Sequence, residues 1–191
     1  MHPKDIIQAS IDVKQRLLAD AALLARLDKA RHLVVATFLS QGRVWFCGNG
    51  GSAADAQHLA AELSGRFRLD RVALAAEALH VNTSYLTAVA NDYGYDEVYA
   101  RLVEGYCRPE DLLIGLSTSG RSANIVKAFA AARARGIATI ALTGASGGAL
   151  ADLSDVLLNV PSTDTPRIQE AHILLGHILC ECAERELFLD T

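Results

Sequence analysis

Proline is scarce, at four positions in 191 residues, and no Pro- or Gly-rich stretch separates one half of the chain from the other. That excludes an evident interdomain linker, and no internal repeat or low-complexity segment is visible. There is no basic excess: 18 Lys and Arg stand against 22 Asp and Glu, for a net charge of -4. A protein that neutralises a phosphate backbone needs the opposite balance, so nucleic acid is not an expected partner. A small anionic ligand needs only a local cluster of donors and stays open. No apolar run is long and uncharged enough to cross a bilayer. The opening MHPKDIIQASIDVKQ mixes charge with apolar residues from the start, unlike a signal peptide. The four cysteines, Cys47, Cys107, Cys180 and Cys182, fit neither a zinc ribbon nor a thioredoxin motif. They read as buried thiols in a reducing compartment, which points to the cytoplasm.

What is present is a chain 51% hydrophobic and 21% charged, long enough for one globular domain over residues 1–191. Residues 4–40 carry helical periodicity. Ile6, Ile7, Ile11, Val13, Leu17 and Leu18 fall near one stripe, and Asp20 is placed to cap a second helix that ends at Gln41-Gly42. With no strand yet to pack on, this segment, 1–41, is expected to serve oligomerisation. From residue 43 short apolar runs alternate with helical patterns. Strands are expected at 43–47, 72–76, 111–117, 137–143 and 155–160, and helices at 52–66, 82–91, 95–107, 122–135 and 165–188. Unbroken apolar strands between helices imply a parallel sheet covered on both faces, hence an α/β fold. Such sheets bind ligands at the carboxyl ends of their strands.

Three strand-to-helix loops are candidate anion sites. GNGGS (48–52) opens a helix, where outward amides and the helix dipole favour negative charge. It matches neither a dinucleotide fingerprint nor a Walker loop. STSGRS (117–122) packs four hydroxyls and a glycine before an amphipathic helix, more than capping requires, and suits a phosphate. TGASGG (143–148) lacks that hydroxyl density and is expected to be structural. Within the first helix His58 and Glu62 stand at i and i+4, so they share a face and can meet one cation. In the last helix Gln169 and His177 lie about two turns apart, on a similar side. His177 sits in an apolar run and is expected to be buried with a partner. His172 falls on a different face, as either a core or a surface residue.

Taken together, CGNGGSAADAQHLAAEL, LTAVANDYGYDEVY, LLIGLSTSGRSANIVKA and TPRIQEAHILLGHIL resemble the sugar isomerase (SIS) domain family and, within it, the phosphoheptose isomerases. The resemblance runs over nearly the whole chain. It implies a three-layer sandwich around a parallel five-stranded sheet, preceded by N-terminal helices. It also implies conversion of sedoheptulose 7-phosphate to D-glycero-D-manno-heptose 7-phosphate, in a homotetramer with active sites at subunit contacts. The phosphate would be held by Ser117, Thr118, Ser119 and Ser122. Asn49, Gly50, Gly51, Ser52, Asn91 and Asp92 match substrate-contacting segments, as do Glu62 and Gln169. One zinc per subunit would sit on His58, Glu62, Gln169 and His177, with Glu62 also the base and His177 the acid. Such a pair suits an enediol reaction, which needs a base at one carbon and an acid at the carbonyl oxygen. Two positions depart from the family: many relatives have an acidic residue where this chain has Asn82, and some have one where it has Pro166. Two rival implications remain: a non-catalytic SIS protein that binds a replication initiator, and an isomerase or sensor for another sugar phosphate.

Overall fold

The computed structural model describes residues 2–189. Two helices come first, α1 (Pro3–Ala19) and α2 (Ala21–Leu39). Asp20 joins them as foreseen: its Oδ1 accepts the amide of Leu23 at 2.9 Å. Gln41 turns the chain with φ of 61°. Then come β1 (Val44–Gly48), α3 (Gly51–Ser64), β2 (Ala76–Ala78), α4 (Thr83–Tyr93), α5 (Val98–Tyr106), β3 (Leu112–Ser117), α6 (Ala123–Ala134), β4 (Ala138–Thr143), β5 (Val156–Asn159) and α7 (Thr165–Phe188).

The five strands form one all-parallel sheet in the order β2-β1-β3-β4-β5. Period-two alternation sends their side chains to two separate cores. Val44 and Phe46, with Leu112, Ile114, Leu116, Ile140 and Leu142, pack under α1, α2, α3 and α7. Trp45, Cys47, Leu113 and Ala141 pack under α5 and α6, against Tyr99, Ile125 and Phe129. Helices on both faces of a parallel sheet make the expected three-layer α/β sandwich.

Two elements differ from expectation. Residues 72–75 are not strand; only Ala76–Ala78 pair with β1, at Val44, Trp45 and Phe46. The segment before them is held instead by Arg71, whose guanidinium donates to the carbonyls of Glu62, Leu63, Gly65 and Val72. The helix foreseen over 95–107 begins as a 3-10 turn, Tyr95–Glu97, because Gly94 leaves α4 with φ of 92°. Asn82, one of the two departures, is the N-cap of α4, and its Oδ1 accepts the amide of Tyr85 at 3.0 Å. Pro166, the other, sits in the first turn of α7, where no amide hydrogen is needed.

Candidate active site

The strand β1 delivers the chain to α3 through Asn49 and Gly50. Gly50 has φ of 56° and ψ of -122°, which a side chain would oppose. Gly51 starts the helix, and a Cβ there would come within 2.6 Å of Gln169 Nε2, so a side chain at this point would push the Gln169 amide aside. Ser52 is buried. Asn49 is fixed by a reciprocal amide pair with buried Asn124, both bonds at 2.8 Å, and its oxygen also accepts from Tyr95 Oη at 3.2 Å.

The loop after β3 lies beside this turn. Ser117 is buried with its hydroxyl 3.1 Å from that of Ser122, the residue at the N-cap position of α6, whose side chain makes no capping bond. Ser119 Oγ accepts the amide of Arg121. Thr118, Ser119 and Arg121 border an open cavity of about 260 Å³, lined also by Ser146, Thr163 and Thr165. The loop after β4 thus does two jobs. It braces the 117–122 loop by backbone bonds, Gly144 N to Thr118 O and Leu150 N to Gly120 O, and Gly144, Ala145 and Ser146 also line the cavity. Its structural role was foreseen; its place on the cavity wall was not.

Next along α7 a second, more open cleft of about 360 Å³ is lined by Gly51, Asp55, Pro166, Gln169, Glu170 and Ile173. Thr165 and Ile168 face the first cavity while Pro166 and Gln169 face the second, so the opening turns of α7 divide one continuous edge of the sheet. Asp55 leads from this cleft to the metal-type residues. Burial raises the pKa of its carboxyl, against the pull of His58 and His177.

His58, Glu62 and His177 converge. One ligand atom from each lies within 4.8 Å of the others. The two Nε2 atoms are 2.9 Å apart, and His58 Nε2 is 3.3 Å from Glu62 Oε1. Burial holds the pKa of His177 below its ordinary value, and the neighbouring His58 adds to this, against the attraction of Glu62 and Asp55. His177 is therefore biased to the neutral imidazole that a metal requires. It is only half-buried, not fully buried as expected, because it faces this cluster from the edge of the core. Two imidazole nitrogens and a carboxylate oxygen are a donor set that suits zinc. Gln169 lies against Gly51 in the cleft. Asn91 and Asp92 bond to each other on the exposed end of α4. His172 proves to be a core residue, with its Nε2 3.1 Å from the carbonyl of Thr143. Cys47, Cys107 and Cys180 are buried free thiols, and Cys182 is partly buried.

Sequence reasoning missed three contributors here. Asp55 lies three residues before His58 on the same helical face, a spacing that would have revealed it. Asn124 and Tyr95 act through long-range bonds that no local pattern announces.

A domain model described as the SIS domain matches residues 10–144. The architecture and the loop set thus define an SIS domain protein. Curated phosphoheptose isomerases are similar along nearly their whole lengths. That of Roseiflexus sp. is 54% identical over 184 residues, 96% of this chain and 92% of the relative, and that of Sulfurimonas denitrificans is 48% identical over 187 residues, 98% and 96%. A solved phosphoheptose isomerase from Neisseria gonorrhoeae superposes with a TM-score of 0.89 at 45% identity, covering 95% of this chain and 96% of that one. The chain belongs to the phosphoheptose isomerases of the SIS domain family.

Proposed function

We propose that the protein is the aldose–ketose isomerase that converts sedoheptulose 7-phosphate to D-glycero-D-manno-heptose 7-phosphate through an enediol. The observation that carries this reading is the meeting of Glu62 and His177, far apart in sequence, within one cluster, next along α3 and α7 from the cleft lined by Gly51, Asp55 and Gln169. Ser117, Thr118, Ser119 and Ser122, at the start of α6, bind the phosphate through hydroxyls, amides and the helix dipole. Asn49, Gly50, Gly51, Ser52 and Gln169 hold the sugar chain along the cleft; tethering at one end lowers the entropic cost of alignment at the other. Glu62 takes a proton from the carbon next to the carbonyl and returns it to the former carbonyl carbon; His177, when protonated and not bound to the metal, gives a proton to the carbonyl oxygen and takes one from the neighbouring hydroxyl as the enediol collapses to the aldose. Each such group contributes typically ~10²–10⁴-fold. His58, Glu62, Gln169 and His177 would hold zinc, one ion per subunit, which when bound supplies Lewis acidity toward the carbonyl oxygen.

The same reading makes the protein a cytoplasmic homotetramer. Ile6, Ile7, Ile11 and Leu18 of α1 are exposed, whereas Val13 and Leu17 of the same stripe are buried. That leaves an apolar face for another copy, and Asn91 and Asp92 are then offered to a site across a subunit contact. Among the described residues no helix is long and apolar enough to cross a membrane.

The test is a coupled assay with sedoheptulose 7-phosphate, run with a chelator and with added zinc. Turnover that falls on chelation and returns with zinc is expected. No turnover in any condition, with sugar-phosphate binding intact, would overturn the isomerase reading and favour a non-catalytic role.

A further inference from the structure

We propose that Glu184 is a positioning residue for the proton-transfer site: it gathers the loop after α3 and seats Phe67 against His177. This rests on the role given above to His177. Glu184 is 1% exposed and touches none of the three clustered residues, so it is no catalytic residue. Its carboxylate accepts the amides of Phe67, Arg68 and Leu69 at 3.0, 2.8 and 3.1 Å, and Arg71 Nε at 3.0 Å. A buried carboxylate is costly unless its lone pairs are met, and here four donors meet them.

The consequences reach the site by two routes. Arg71, held by Glu184, donates to the carbonyls of Glu62 and Leu63 at 2.9 and 2.7 Å, which closes the last turn of α3, the turn that carries Glu62. Phe67, fixed through its amide, lies with its ring centre 5.3 Å from that of His177, tilted by 35°. Arg68 braces the outside, over the Phe67 ring and 3.3 Å from Glu181. Glu184 and His177 sit about two turns apart on α7, so one helix presents the imidazole and also anchors its cover. A loop that merely joined α3 to β2 would need none of these contacts.

The test reads the His177 ring protons by NMR, which needs neither metal nor turnover. Phe67→Leu removes the neighbouring ring current and shifts these resonances. In Glu184→Gln an amide NH₂ faces N–H donors, the loop is released, and the same resonances are expected to move in the same direction. Both variants should lose about tenfold in kcat, the scale for groups that orient a site's ligands, with the sugar-phosphate KM within about twofold. Unchanged His177 resonances in Glu184→Gln would overturn the proposal. Should that variant fail to fold, amide exchange in the unaltered protein decides. The amides of residues 67–69 should exchange as slowly as the core, and exchange at exposed-loop rates would overturn it. Absence of isomerase activity in the unaltered protein would strike the functional reading alone, because the resonances and the exchange rates still answer this question.

Discussion

Gly51 presents a hydrogen where any other residue would drive a methyl group into Gln169. Gly51→Ala therefore forces Gln169 aside, while alanine itself suits a helix. If Gln169 is a ligand as proposed, the expected outcome is weaker zinc binding, by about tenfold in a competitive chelator titration, with the melting temperature little changed. His172 makes a different prediction. Burial lowers its pKa to about 4, against the opposing hydrogen bond to Thr143. The folded protein then binds fewer protons at this site than the unfolded chain, whose imidazole titrates near ~6.5. The stability contribution is complete above that value and is lost as the pH falls toward 4, below which both states are protonated. The loss amounts to roughly 3 kcal/mol. Urea unfolding at pH 7 and pH 4.5 should show it, and His172→Gln should show less pH dependence than the unaltered protein.

Among elements, α4 separates a structural residue from a substrate contact. Asn82 spends its side-chain oxygen on capping this helix. Asn82→Ala should therefore cost about 1 kcal/mol in thermal unfolding and leave kcat unchanged, while Asn82→Asp keeps both. A large change in kcat for the alanine variant would assign Asn82 to the site after all. The strands β1, β3, β4 and β5 were legible because each is a short unbroken apolar run ending in a turn sequence. The strand β2 was displaced because what shapes residues 66–75 is the Arg71–Glu184 pair, two residues far apart in sequence, and periodicity is blind to such a bond. The site divides in the same way. His58 and Glu62 could be read from one helical face, and Gln169 and His177 from another. That α3 and α7 lie side by side follows only from how both cover the same face of the sheet. Asn124 and Tyr95, which fix Asn49, carry no local signal.

For the whole molecule, the exposed apolar residues of α1 and the solvent-facing ends of α4 and α7 lead to one expectation. If the chain assembles through α1 as proposed, replacing Ile7 and Leu18 together by Glu should give smaller species than the unaltered protein in sedimentation. Activity should fall with it if the sites lie at subunit contacts; a monomer of full activity would show each site to be complete within one chain. The proposed isomerisation turns on proton transfer by Glu62 beside His177. The most direct measurement is the steady-state turnover of sedoheptulose 7-phosphate by Glu62→Gln against the unaltered protein. A kcat lower by ~10²–10⁴-fold, with KM changed little, is predicted. Turnover by Glu62→Gln at the unaltered rate would contradict it.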